Sequence, residues 1–187
     1  MGLLSVAELD ILDWIAQNLR SDGMDLFMSG ITRLGDSGII WILLGAALLL
    51  LDKRGRSRGG QVLLSLVFSL IFCNLILKNA VGRIRPFELN SAAEVFIARP
   101  TDPSFPSGHS SASFAAVMVL MLTNWKGKWA AFALAVLIAF SRLYLYVHFP
   151  TDVLCGIALG LFCGWLSVTV WTKLQNKRTS QIEKNKL

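Results

Sequence analysis

The sequence predicts an all-α integral membrane protein: a helical bundle of about five transmembrane helices, with an amphipathic interfacial helix at the N-terminus. Three observations predict it. More than half of the 187 residues are apolar and the mean hydropathy is positive. Charged residues are few, at 16% of the chain, and they are bunched. Several long segments carry almost no charge, among them residues 153–172, which carry none. A soluble helical core has no use for such a segment; a bilayer does. The length suits one domain, 1–187, divided into an N-terminal segment 1–36, a bundle 37–172 and a basic tail 173–187.

In chain order, residues 6–19 come first. Val6, Leu9, Leu12, Ile15 and Leu19 recur at helical spacing against Glu8, Asp13 and Gln17. This helix is too polar to span; it either lies on the membrane surface or packs on the bundle. Ser21-Asp22-Gly23 separates it from the next segment. Charge-poor segments at 37–51, 61–77, 110–124, 129–147 and 153–172 then read as crossings, the fourth interrupted by Arg142. The first is short, covering about 22 Å of a core roughly 30 Å thick, so it is expected to extend upstream with Arg33 and Asp36 at headgroup depth. The tail from Gln175 is polar and expected to fray. There is no internal repeat and no pattern of a cleaved signal peptide.

Cys73, Cys155 and Cys163 lie inside apolar runs at a spacing that suits no metal site, and read as small packed hydrophobes. The first 36 residues carry two basic and six acidic groups, net −4; residues 52–60 are net +3, 124–128 net +2, and the tail from Lys173 net +4. With five crossings these three basic segments fall on one side, the cytoplasm by the positive-inside rule. The tail reads as an anchor beside anionic lipid, and no nucleic-acid partner is expected. The expected location is a bacterial plasma membrane with the C-terminus inside. The N-terminal segment, the loop from about Lys78 to Ser107 and the turn at His148 then share the outer face.

Three clusters meet there: K-N-A-V-G-R-I-R-P at 78–86, P-S-G-H at 106–109, and S-R-L-Y-L-Y-V-H-F-P-T-D at 141–152. Lys78, Arg85 and Arg142 are fixed cations at helix ends, where charge near hydrocarbon is costly. Converging, they call for an anion; Arg matches phosphate oxygens with its planar fork and Lys adds a point charge. Snorkelling suffices for Arg83 and Arg99. Pro106 and Ser107 set up a capped helix start, and Gly108 lets backbone approach a ligand. His109 stands in the first turn. Pro150 fits the first turn of the last crossing, so Asp152 lies one turn beyond His148, within reach of an imidazole nitrogen. Both histidines of the chain sit in these clusters.

Together these residues resemble the type-2 phosphatidic acid phosphatase superfamily. Its pattern is Lys, six residues, Arg-Pro; Pro-Ser-Gly-His; then Ser-Arg, five residues, His, three residues, Asp. Every fixed position is matched: Lys78, Arg85, Pro86; Pro106, Ser107, Gly108, His109; Ser141, Arg142, His148, Asp152. The resemblance implies that His148 attacks phosphorus to form a phosphohistidine and that Asp152 orients it. It implies that His109 acts as general acid and then base, and that Lys78, Arg85, Arg142, Ser107 and the Gly108 amide hold the phosphoryl oxygens. No cofactor is implied, and no carboxylate cluster that would hold Mg²⁺ lies near the motifs. The membrane segments set the chain apart from the family's soluble haloperoxidases. Members often have six spans, whereas the acidic first 36 residues argue against a sixth here. The implied substrate is a lipid phosphate monoester or diphosphate: undecaprenyl pyrophosphate, phosphatidylglycerol phosphate or phosphatidate, with specificity in residues 87–102 and the N-terminal helix. A lipid phosphotransferase and a non-catalytic lipid-phosphate binder or transporter are the alternatives. The oligomeric state is left open.

Overall fold

In the computed structural model, residues 3–50, 56–90 and 93–184 are described, excluding the side chains of 3–5, 56, 179 and 183. All regular structure among them is helical: α1 (Leu3–Leu19), α2 (Asp22–Leu34), α3 (Ile39–Leu50), α4 (Arg56–Ser69), α5 (Lys78–Val81), α6 (Pro86–Leu89), α7 (Gly108–Leu122), α8 (Lys128–Tyr144) and α9 (Pro150–Lys184). A 3₁₀ turn, Asp36–Gly38, joins α2 to α3, and a π-helix, Leu70–Leu77, joins α4 to α5. The basic stretch 52–60 lies partly outside the described residues, as do Ser91, Ala92 and the last three residues of the tail.

Local chemistry places the boundaries. Ser21 caps α2, its hydroxyl accepting from the Met24 N–H at 3.4 Å, with Asp22 and Asp25 favourable in the first turn. Ser107 caps α7, and Pro150 opens α9, as the sequence predicts. Gly82, at φ 61°, closes α5 in the left-handed conformation that glycine adopts freely. The polar end of α9 does not fray as expected. Between Gly164 and Lys184 the chain has neither glycine nor proline, so nothing stops the helix.

The bundle is built around α7. Nine of its residues are buried, among them Phe114, Val117, Val119 and Leu120, which join Trp41 of α3, Val62 of α4 and Ile138 of α8 in one core. α9 packs most closely against α7 because Gly156, Gly160 and Gly164 form a seam one turn apart. A Cβ at these positions would lie 2.6, 2.4 and 2.5 Å from the carbonyl oxygens of Ser107, Ser111 and Ala115. Only glycine permits that backbone approach. The seam brings the first turns of α7 and α9 together, where the Ser107 N–H donates to the Asp152 carbonyl at 3.0 Å.

α1 packs on the bundle. Leu12 and Ile15 are buried with Phe87, Tyr144, Tyr146, Val147 and Phe149, while Val6, Ile11 and Trp14 remain exposed. Two runs, Ser57–Leu89 and Pro150–Ile182, are long and apolar enough to cross a bilayer; the pair Asp22–Leu34 and Asp36–Leu50, bent by 44°, makes a third. α7 has 15 residues and α8 has 17, short of the ~20 of a full span, so length and apolarity alone pick out two or three of the five expected crossings among the described residues. The upstream extension expected for the first crossing is present as α2, but the helix is broken at Ser37 and Gly38, with φ of 52° and 68°.

Candidate active site

One cavity of about 1200 Å³ opens at the end of the bundle where α7 and α9 begin. Six of the eight site residues expected from the sequence line it: Lys78, Arg85, Gly108, His109, Arg142 and His148. The other two, Ser107 and Asp152, are fully buried behind its wall.

His148 follows α8 in the turn before Pro150 and is almost fully buried. Its Nε2 lies 3.4 Å from Arg85 Nη1, on the cavity side. Its Nδ1 faces inward, 3.4 Å from Ser104 Oγ and 3.6 Å from Asp152 Oδ2. Burial pushes the His148 imidazole down to about 3, with Arg142 and Arg85 acting in the same sense against the opposing pull of Asp152. The His148 imidazole is therefore uncharged at neutral pH. The Asp152 carboxylate accepts from Ser104 Oγ at 2.5 Å, the Phe149 N–H at 2.9 Å and Arg83 Nη1 at 2.6 Å.

Arg83 is not the snorkelling residue expected. Its guanidinium stacks 3.9 Å over the Phe149 ring and bridges Asp152 to Glu8, whose Oε2 it meets at 2.5 Å. Glu8 belongs to α1, is buried, and accepts from the Thr151 N–H at 2.9 Å and Thr151 Oγ1 at 2.5 Å. A charge chain thus runs Glu8–Arg83–Asp152–His148. The spacing of acidic residues on α1 gives no sign of it, because the partners lie about 75 and 143 positions away. Arg99 stacks over Phe87, 5.5 Å from the ring centre, and lines the cavity.

Ser107 serves as the N-cap of α7. Its hydroxyl accepts from the Ser110 N–H at 3.4 Å and from Ser110 Oγ at 3.0 Å. Both of these bonds use its lone pairs, so its own O–H stays a donor, on a residue fully buried at the start of α7. His109 lies at the cavity, where its Nε2 is 2.9 Å from Asp36 Oδ1.

The cations are not idle. Lys78 pairs with Asp102 and donates to the Pro103 carbonyl at 3.1 Å. Arg85 donates from Nε to the Asp102 carbonyl and from Nη2 to Asp102 Oδ1, both at 2.8 Å, and from Nη1 to the Val147 carbonyl at 2.7 Å. Burial alone would raise the Asp102 carboxyl, but Lys78 and Arg85 outweigh it and hold it down at about 2. Its side chain is half exposed at the cavity mouth. Arg142 donates to Thr32 Oγ1, and its buried Nε has no hydrogen-bond partner among the described residues. Such an orphan donor beside a cavity is open to an anion. Among the described residues no group of three or more His, Cys, Asp or Glu side chains is placed to hold a metal ion.

The chain is similar to several known proteins. The chain is 32% identical over 164 residues to an undecaprenyl-diphosphatase of Sulfolobus acidocaldarius, covering 87% of this chain and 77% of that one. It is 29% identical over 170 residues to a lipid A 4'-phosphatase of Bacteroides thetaiotaomicron, covering 83% and 73%. Its fold superposes on the crystal structure of a transmembrane PAP2 type phosphatidylglycerolphosphate phosphatase from Bacillus subtilis with a TM-score of 0.74 at 27% identity, covering 92% and 88%. The profile of the PAP2 superfamily matches residues 58–176, which hold all three motifs and both histidines, and the chain belongs to that superfamily.

Proposed function

We propose that this membrane protein hydrolyses a lipid phosphate monoester or diphosphate through a phosphohistidine, without a metal or cofactor. Undecaprenyl pyrophosphate is the first candidate and a phosphatidylglycerophosphate- or phosphatidate-type glycerolipid the second. One observation carries the reading: a single cavity joins His109, His148 and the three cations to an apolar wall of Ile42, Leu63, Leu66, Val67 and Leu70. A phosphate can sit at the polar end while its tails leave along the apolar wall.

In this reading His148 Nε2 attacks phosphorus, since Nδ1 is turned to Ser104 and Asp152. The bond to the leaving oxygen breaks as His109 gives that oxygen a proton. Water then attacks the phosphohistidine, His109 takes the water's proton, and the P–N bond breaks to release phosphate. Asp152 stabilises the charge on His148. Arg142, Lys78, Arg85 and the Gly108 backbone stabilise the phosphoryl oxygens in the five-coordinate state. Lys78 and Arg85 exchange Asp102 for phosphate when substrate binds.

Five crossings fit the bundle: α2 with α3, α4 with the π-helix, α7, α8 and α9, the short ones shielded by their neighbours. Basic segments then face the cytoplasm and the cavity opens on the non-cytoplasmic face of a bacterial plasma membrane, with exposed Ile11 and Trp14 of α1 at the interface. The test is phosphate release from a panel of lipid phosphates by purified protein in detergent with EDTA. Release that disappears in His148→Ala supports hydrolysis. Phosphate moved to an added alcohol without release would establish a phosphotransferase, and binding without chemistry a carrier.

A further inference from the structure

We propose that Asp36 is the positioning residue for His109, so that each imidazole of the site carries its own carboxylate. The inference rests on the reading of His109 as the proton carrier and names the group that makes it one. Nothing in the three sequence motifs includes Asp36, which precedes the first of them by some forty positions.

Two independent features support it. The first is the contact itself: Asp36 Oδ1 accepts from His109 Nε2 at 2.9 Å, and both residues line the cavity. The second is the seat built around the ring. A Cβ at Gly35 would lie 2.8 Å from His109 Cδ2 and 2.8 Å from Ile138 Cγ2, so the imidazole occupies the space that any other side chain at 35 would fill. The break between α2 and α3 provides this seat. The left-handed backbone at 37 and 38 comes directly after Asp36 and turns the chain into α3, so the carboxylate sits at the corner between two helices rather than inside one.

The chemistry follows from the tautomer. With Nε2–H committed to Asp36, the proton that moves is the one on Nδ1. In the first step His109 is an imidazolium, and its Nδ1–H passes to the leaving oxygen as the P–O bond breaks. The neutral ring keeps Nε2–H and presents a bare Nδ1, which takes a proton from the attacking water in the second step. One nitrogen gives and then receives, with no ring flip and no change of tautomer between steps. The cationic form also needs a counter-charge. Arg142 of α8, Lys78 of α5, and Arg85 line the same cavity, and their positive charges act against a cation on His109. Asp102 is paired with Lys78 and Arg85. Asp36 is the carboxylate in contact with the ring, and Arg33 of α2 lines the cavity beside it.

The test compares two leaving groups in wild type, Asp36→Asn and His109→Ala. Dioctanoyl phosphatidate has a poor alkoxide leaving group that needs a proton; p-nitrophenyl phosphate has a good one that does not. Asp36→Asn is expected to lower kcat/KM, which reports the phosphorylation step alone, on the phosphatidate by about tenfold or more and on the aryl ester by less than about threefold. The alkaline limb of its kcat/KM profile on the phosphatidate should move to lower pH, and Asp36→Glu should recover part of the loss. Equal losses on both esters, no loss, or an unmoved alkaline limb would overturn the proposal. If His109→Ala itself turns over normally, the proton-carrier reading fails first. If His109→Ala is crippled while Asp36→Asn is normal, only Asp36 is excluded. Should Asp36→Asn not fold, Gly35→Ala crowds the same ring from an αR position that alanine tolerates. It is expected to show the same selective loss, and an unselective one overturns the proposal.

Discussion

Replacing Glu8 by alanine puts the link between the N-terminal helix and the site to the test. In the wild type, Glu8 is buried and accepts three hydrogen bonds, two from Thr151 and one from Arg83. Its removal strands the Thr151 N–H and takes away one of the two carboxylates around Arg83. Breaking a buried ion pair by deleting one partner costs about 3–5 kcal/mol when the other charge is left alone. Arg83 keeps Asp152 at 2.6 Å and stays partly exposed, so its share is reduced. Charge-assisted hydrogen bonds contribute about 1.5–3 kcal/mol each; because Arg83 keeps Asp152 and Thr151 Oγ1, the net cost expected for Glu8→Ala is that of one or two of them, about 2–4 kcal/mol. Denaturation in mixed micelles, read by loss of helix, measures it. Kinetics supply the second readout. Arg83 would then bind Asp152 alone and draw its charge away from His148, so kcat should fall more than KM rises. A Glu8→Ala protein within about 0.5 kcal/mol of wild type, with unchanged kcat, would refute the idea that α1 belongs to the site.

Three further outcomes are expected. Gly160→Ala sets a methyl 2.4 Å from the Ser111 carbonyl and should cost about 1–3 kcal/mol by prising α9 from α7, whereas Gly23→Ala, with nothing within 4 Å, should not destabilise; thermal melts compare them. Asp102→Asn removes the carboxylate that neutralises Lys78 and Arg85, and should lower the inhibition constant for vanadate about tenfold; a rise would mean that Asp102 serves to hold the two cations in place. The His148 imidazole, held at about 3 in the fold, stays neutral where an unfolded chain protonates near 6.5. It therefore detracts nothing above that pH and loses the protein up to about 2 kcal/mol of stability as pH falls from 7 to 5. Denaturation of wild type and His148→Asn at both pH values isolates this loss, and an equal pH response in the two would contradict it.

What the sequence made legible was local. Helix starts at Gly108 and Pro150 follow from a Ser cap and a Pro, and the five-residue and three-residue spacings around His148 are fixed by one turn and one helix start. Residues whose role depends on a partner far along the chain were illegible for the same reason. Glu8 and Asp13 look alike as acids on α1, and only the packing of that helix gives Glu8 its Arg83. Asp102 lies in an aperiodic loop between two prolines, where no pattern predicts that its carboxylate reaches both Lys78 and Arg85. Asp36 stands out in the sequence only as an acid at the edge of an apolar run. Its contact with His109 comes from how the corner between α2 and α3 packs on the start of α7, and the left-handed Ser37 in that corner is a conformation its residue type does not announce. Ser107 shows the converse: its place as the cap of α7 follows directly from the local sequence.

The glycine seam between α7 and α9 has a bearing on how tightly the reaction is gauged. His109 rides on the first helix and Asp152, with His148 just ahead of it, on the second. The clearance between the proton carrier and the attacking nitrogen is therefore set by how near two backbones can lie. A seam of hydrogen atoms works as a shim of minimum thickness. Side chains elsewhere can vary with the lipid being processed while the gap offered to a phosphorus atom stays constant.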